Sequence, residues 1–141
     1  MSAGRDVPEG FELLADGGAF VDLVGPIYVG PAGVLGVRVE DRHLNRAGTA
    51  MGGFLATLVD TALGRAILDV SAGGAQVATV SLTTDYLRAA QRGAWLETRT
   101  EVERLGGRLA FADCSVRGDG EEVVRARAVF VVRSGDGERC R

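Results

Sequence analysis

The feature that most limits what this chain can fold into is one long stretch of helical periodicity, residues 51–70, in a sequence that elsewhere alternates like strands. At 100° per residue its apolar side chains share one broad face. They are Met51, Leu55, Leu58, Val59, Ala62, Leu63, Ala66, Ile67 and Val70. Asp60 lies at the edge of this face. So wide an apolar stripe needs a surface to cover it, and we predict that a curved sheet packs against the helix.

After Gly73-Gly74 the apolar pattern changes to period two. Four segments have the composition of strands, namely residues 76–87, 94–104, 108–117 and 122–133. Turn signals separate them, and closely spaced strands pair most simply as an antiparallel meander. Before the helix, residues 27–29 and 34–39 flank a Gly-Pro-Ala-Gly sequence, which predicts a hairpin. The predicted fold class is therefore α+β, in the order hairpin, long helix, four-stranded meander.

Length and charge limit the classes of function. A chain of 141 residues is the size of one domain, residues 1–141, and can bury a sizeable core. A formal charge of −3 argues against general binding to nucleic-acid phosphates. Neither a secretory leader nor an apolar run of membrane-spanning length is apparent, so we expect a soluble cytoplasmic protein.

Cysteine and histidine usage limits the chemistry. Cys114 and Cys140 have neither the spacing of metal ligands nor that of a disulfide framework, which fits a reducing cytoplasm. His43 is the one histidine, so a multi-histidine metal site or a histidine-based triad is excluded. We expect His43 to make hydrogen bonds within its loop. The sequence predicts no metal and no cofactor.

The candidate chemistry lies in residues 43–53 and the helix that follows them. Gly52-Gly53 at the helix start lets backbone N–H groups approach a ligand, and the helix dipole favours an anion or a developing oxyanion there. Asp60 lies about 12 Å further along the helix axis. One subunit alone would not easily bring both groups to one reacting carbon, whereas a partner subunit could. The alternative is an ordinary glycine helix start and a solvated surface aspartate.

The residues around this helix start form a motif, His43-x-Asn45-x-x-Gly48-x-x-Met51-Gly52-Gly53, followed by Leu58-Val59-Asp60. The pattern continues through residues 79–87, Gly93 and residues 106–111. It resembles the signature of hotdog-fold thioesterases, nearest to the phenylacetyl-CoA and 4-hydroxybenzoyl-CoA type, over about residues 25–133. The resemblance implies a long central helix on a curved antiparallel sheet, in a homodimer whose sheets join edge to edge or in a homotetramer. It also implies active sites between subunits.

The resemblance implies a role for each matching residue. Asp60 would be the general base or nucleophile, and the Gly52 N–H of the partner would stabilise the oxyanion. Asn45 would orient water or hold the substrate, and Thr79 would position the water. The alternatives without a catalytic role are turn capping for Asn45 and ordinary strand propensity for Thr79.

Substrate binding is expected around the same helix start and at arginines that suit phosphates. The candidate residues are Met51, Gly53, Arg88, Arg92, Gly107 and Arg108. Surface arginines are also common without any ligand. Met51 stands where the family usually has histidine, and its thioether is only a weak acceptor. We therefore expect altered specificity or a reduced rate.

The predicted function is hydrolysis of an acyl-CoA, with aryl and medium-chain acyl groups as candidates and CoA as part of the substrate. Two alternatives stay open from the sequence. One is a thioesterase acting on acyl carrier protein. The other is a non-catalytic hotdog protein that binds acyl thioesters, an alternative that Met51 keeps open.

Overall fold

A 19-residue helix lies against a seven-stranded antiparallel sheet. The structure is a computed structural model that describes residues 7–134, and Cys140 lies outside the described residues. In chain order the elements are β1 (Glu12–Leu13), α1 (Ala19–Val24), β2 (Tyr28–Val29), β3 (Leu35–Arg38), α2 (Gly52–Val70), β4 (Gln76–Tyr86), β5 (Trp95–Leu105), β6 (Leu109–Gly118) and β7 (Glu121–Arg133). The predicted α+β class is confirmed.

Helix α2 begins one residue after the predicted start, with Met51 as its N-cap. Seven of its side chains are buried: Phe54, Leu55, Leu58, Val59, Ala62, Leu63 and Ile67. Each fully buried leucine of this set contributes about 2 kcal/mol to the free energy of unfolding. Met51 and Val70 were expected on the apolar face, yet they are exposed because they lie at the ends of the helix.

The strand order is β1-β2-β3-β5-β6-β7-β4. The predicted hairpin is confirmed by the antiparallel pairing of β2 with β3. Of the predicted meander, β5, β6 and β7 pair in sequence order. The fourth strand was placed wrongly: β4 pairs with β7 at the far edge of the sheet and not with β5.

The connection between β4 and β5 explains this placement of β4. It does not form a tight hairpin, because it is held to the loop that precedes α2. The Ala50 N–H donates to the carbonyl of Ala90 at 2.9 Å, and Thr49 forms an isolated bridge with Gln91. With β5 already paired to β3 and β6, the long strand β7 supplies the partner for β4.

The core lies between α2 and the sheet face formed by β4 to β7, all of which contact the helix. Fully buried side chains from both layers meet there, among them Leu58, Leu63, Leu96, Val116 and Val124. Register shifts mark bulges in β4, β5 and β7, which bend strands and increase their twist. Within residues 7–134 no helix is long and apolar enough to span a bilayer.

Candidate active site

Asp60 and Thr79 come together between α2 and the edge strand β4. The Thr79 hydroxyl donates a hydrogen bond to Asp60 Oδ1 at 2.6 Å. The register of β4 shifts between Thr79 and Ser81, where Val80 is 59% exposed. Such a bulge re-aims side chains, and here Thr79 reaches the helix. Asp60 Oδ2 has no hydrogen bond to any of residues 7–134, so that oxygen is available to accept a proton.

The start of α2 presents free backbone donors. The first helical bond runs from the Leu55 N–H to the Met51 carbonyl at 3.1 Å. The N–H groups of Gly52 and Gly53 have no partner within the described part of the chain. A Cβ on Gly53 would meet nothing within 4 Å, so there is open space beside Gly53. Unpaired donors at the positive end of a helix suit an anion or an oxyanion.

Tyr86, the last residue of β4, holds the first turn of α2 in place. Its hydroxyl donates to the Gly52 carbonyl at 2.8 Å. A Cβ on Gly52 would lie 3.3 Å from Tyr86 Cζ, so glycine permits this close approach of the ring. This hydrogen bond was not predicted from the sequence. A tyrosine at the end of a strand carries no signal that its hydroxyl reaches a remote helix.

His43 is buried and its ring is fully engaged. Nδ1 accepts from the Glu40 N–H at 3.0 Å, so Nε2 carries the proton and donates to the Val24 carbonyl at 2.6 Å. The ring stacks on Phe54 with centroids 4.0 Å apart. These contacts fix the loop against α1 and α2. The structural role expected for His43 agrees with this geometry.

Asn45 organises the loop that leads to Gly52. Its Oδ1 accepts from the N–H groups of Ala47 and Thr49 at 2.9 and 3.1 Å, and its Nδ2 donates to Thr49 Oγ1 at 3.2 Å. The side chain caps its own turn, which is the structural role considered for Asn45 from the sequence. Asn45 also lines a small cleft together with Gly52, Tyr86 and Arg88.

The predicted catalytic residues therefore form two groups within one chain. Asp60 and Thr79 line a cleft between α2 and β4. Asn45 and Gly52 line the other cleft, at the opposite end of the first two helical turns. No residue within 7–134 lines both clefts. We call these two clefts the Asp60 half-site and the Gly52 half-site.

The predicted substrate-binding residues are distributed unevenly. Met51 is 51% exposed directly before Gly52. Arg88 lies in the Asn45 cleft and pairs with Glu121 at 3.3 Å. Arg92 pairs with Asp41 at 2.6 Å. Such exposed pairs contribute little to stability and can be exchanged for another anion. Gly107 and Arg108, at the β5–β6 turn, line neither cleft.

Two other kinds of catalytic group can be considered. Burial raises the pKa of the Cys114 thiol to about 12, so this cysteine stays protonated at neutral pH and is a poor nucleophile. In residues 7–134 no three His, Cys, Asp or Glu side chains are grouped as metal ligands. Asp60 therefore stays the candidate base, because it opens onto the cleft and has an unengaged oxygen.

Comparison with known proteins relates this geometry to a family. Residues 47–125 match the family described as the Thioesterase superfamily. The Pseudomonas aeruginosa protein PA0474, provisionally named an esterase, is 36% identical over 129 residues, spanning 89% of this chain and 96% of that protein. Acyl-coenzyme A thioesterase 13 of Mus musculus is 33% identical over 76 residues, or 54% of each chain.

Among solved structures, a hypothetical thioesterase protein from Streptococcus pneumoniae with coenzyme A is similar at a TM-score of 0.68 and 25% identity. The likeness covers 72% of this chain and 78% of that one. With one long helix on a seven-stranded antiparallel sheet, the predicted hotdog fold is confirmed.

Proposed function

Because this chain belongs to the thioesterase superfamily, we propose that it hydrolyses an acyl-CoA thioester to the free acid and CoA, with an aryl or medium-chain acyl group. The observation that carries the proposal is the Asp60–Thr79 hydrogen bond of 2.6 Å beside an open cleft. It leaves one carboxylate oxygen free in a position that a substrate can reach. The CoA preference is supported by the mouse relative's name and by the coenzyme A in the Streptococcus structure.

In the proposed reaction Asp60 acts as a general base. Its free Oδ2 takes a proton from water as the water oxygen attacks the thioester carbonyl carbon. The resulting oxyanion is stabilised by the Gly52 N–H and the helix dipole. The C–S bond then breaks, and the departing thiolate receives the proton back from Asp60. Direct attack by the carboxylate, followed by hydrolysis of the mixed anhydride, is the alternative role for Asp60.

Thr79 and Asn45 position these groups in the proposed mechanism. The Thr79 hydroxyl bond to Oδ1 fixes the plane of the Asp60 carboxylate, so that Oδ2 faces the water. Asn45 holds the loop that sets the approach to Gly52, while its amide faces the same cleft. Both residues thereby serve the geometry of attack rather than the bond changes.

We propose that the complete site forms between two subunits. Among residues 7–134, strand β4 is the last strand of the sheet and pairs on one side only, with β7. An unpaired strand edge is a template for pairing with another chain. Pairing of two β4 edges would bring the Asp60 half-site of one subunit towards the Gly52 half-site of its partner. A homodimer, or a homotetramer of two such dimers, follows from this arrangement.

CoA would extend from the Gly52 half-site. Arg88 lies in that cleft, and its exposed partner Glu121 can give way to a phosphate. Gly53, with open space around it, lets the pantetheine arm pass close to the helix start. Gly107 and Arg108 would reach CoA from another subunit, because they line neither cleft of their own chain.

Met51 favours one further candidate function, an acyl-thioester-binding protein without hydrolysis. Its exposed side chain before Gly52 offers only a weak sulfur acceptor.

The test of the proposed function is release of free CoA from a panel of aryl- and fatty-acyl-CoAs, with matching acyl carrier protein thioesters measured alongside. Turnover of acyl-CoAs is expected. Tight binding without turnover would support an acyl-thioester-binding protein. Faster hydrolysis of the carrier-protein thioesters would identify acyl carrier protein, rather than CoA, as the carrier of the substrate.

A further inference from the structure

The cleft beside Asp60 continues along α2 towards the C-terminal end of the helix. Its walls are a stripe of α2, part of β4, Phe130 of β7 and the segment around α1. Its volume is about 760 Å³, within the range of small-molecule sites. The stripe begins at Ala56 and ends at Leu68, and Asp60 lies one turn after its start. A substrate attacked at Asp60 therefore has room along this groove.

The groove beyond Asp60 is apolar in character. Phe20 and Leu68 expose 60% and 40% of their surface, respectively, and line it together with Val77. The hydroxyls of Thr57 and Thr61 donate to carbonyls one turn back, at 3.0 and 2.7 Å. Their methyl groups are then the parts that can meet a ligand. A groove lined largely by such groups suits an acyl group.

The other charged residues of the groove pair with each other. Arg65 donates to Asp16 Oδ1 at 2.9 Å. The guanidinium is therefore already engaged by a carboxylate. In the proposed function the CoA phosphates contact Arg88 at the Gly52 half-site, which leaves this groove to the acyl group.

Gly64 lies one helical turn beyond Asp60 and lines the same groove. Glycine inside a helix lowers stability, so its presence there calls for a gain elsewhere. A Cβ on Gly64 would stand 3.6 Å from Phe130 Cε2 and 3.8 Å from Val77 Cγ2, in ordinary contact. Steric exclusion in the fold therefore does not require glycine. What glycine leaves open is the floor of the groove over Phe130 and Val77.

We propose that Gly64 is a specificity-determining residue that admits acyl groups larger than acetyl, an inference that rests on the proposed thioester hydrolysis. A larger residue at this position would fill the groove next to the reacting carbon. The acetyl group needs little of this space, whereas an octanoyl or phenylacetyl group needs the open floor. A larger side chain on the floor of the groove should therefore lower kcat/KM for large acyl groups more than for acetyl.

The experiment compares kcat/KM for acetyl-CoA, octanoyl-CoA and phenylacetyl-CoA in the wild type, Gly64→Ala and Gly64→Leu. Asp69→Leu is the matched control, since Asp69 is exposed on α2 and outside the groove. In Gly64→Leu we expect at least about a tenfold loss for the two large substrates and little change for acetyl-CoA. Gly64→Ala should lose less, while its Tm rises because alanine favours the helix.

Equal losses for all three substrates, or unchanged selectivity, would overturn the assignment of Gly64. If Gly64→Leu does not fold, the selectivity of Gly64→Ala decides the question, because its methyl group fits. A wild type that turns over no acyl-CoA would contradict the proposed function instead. Binding of octanoyl-CoA, measured by calorimetry, then tests Gly64 separately. Weaker binding by Gly64→Leu than by the wild type would support the role of Gly64 in admitting the acyl group. Equal binding by the two proteins, or no binding by either, would overturn it.

Discussion

At the scale of single residues, the hydrogen bond from Thr79 orients Asp60, the proposed catalytic base. It engages Oδ1 and leaves Oδ2 without a partner among the described residues. A carboxylate fixed through one oxygen keeps the other in a defined direction, which is what a general base needs. The proposed oxyanion donor, the Gly52 N–H at the other half-site, has no partner among the described residues.

Replacing Thr79 by valine removes this hydroxyl and keeps the shape and strand propensity of the side chain. We expect kcat to fall roughly 10- to 100-fold, because Asp60 is no longer held in one orientation, with a much smaller change in KM. The fold should be retained, since Thr79 is exposed. Steady-state hydrolysis of an acyl-CoA measures the effect. Thr83→Val, an exposed change on the same strand, is the control, and equal rates for Thr79→Val and wild type would contradict this role.

The candidate residues of the site could be identified from the sequence, because their spacing is local and resembles a known motif. Asp60, Gly52 and Asn45 belong to that motif, and Thr79 opens the segment that continues it. The contact between Asp60 and Thr79 and the hydroxyl bond of Tyr86 were not predictable. Both depend on how β4 lies against α2, and no local pattern in the sequence encodes that orientation.

At the scale of elements, β4 positions both half-sites on α2. Thr79 near its middle bonds to Asp60, and Tyr86 at its end bonds to the first residue of the helix. Helix α2 and strands β2 to β7 were predictable to within a residue or two, since periodicity is a local property. The edge position of β4 was not, because strand order depends on the contacts of the loop around Ala50 and Ala90.

Tyr86→Phe tests the coupling between β4 and the helix start. It removes the 2.8 Å hydrogen bond to the Gly52 carbonyl and keeps the ring packed on Gly52. We expect the free energy of unfolding to fall by about 0.5–1 kcal/mol, since Tyr86 is 50% exposed. The kcat should fall about 3- to 10-fold, because the oxyanion donors of the first turn are less firmly held.

Urea unfolding and acyl-CoA hydrolysis measure these two effects. Tyr28→Phe is the matched control, because the Tyr28 hydroxyl has no hydrogen bond within residues 7–134. A loss of stability without any loss of kcat would show that the Tyr86 bond serves the fold alone.

At the scale of the whole molecule, a single chain presents two separated half-sites and, at β4, an unpaired sheet edge among the described residues. Exposed Val80 marks the bulge of that edge, directly after Thr79. Self-association through β4 would cover this edge and, at the same time, complete the active site. This is the reason we expect activity and oligomeric state to change in parallel.

Val80→Lys places a charge on the proposed contact between subunits. We expect light scattering to show a shift towards the monomer mass, with loss of acyl-CoA hydrolysis and unchanged circular dichroism, because a buried unpaired charge disfavours association. Leu105→Lys is the control at an exposed leucine that ends β5. A fully active monomer would contradict the intersubunit site.

The most direct test of the account is the rate of CoA release by Asp60→Asn. Asparagine keeps the size of the side chain and removes the base. With the wild type turning over an acyl-CoA of the panel, we predict that kcat of Asp60→Asn falls by at least about 100-fold. Asp69→Asn, an exposed change on the same helix, should match the wild type. An Asp60→Asn protein that releases CoA as fast as the wild type would contradict the account.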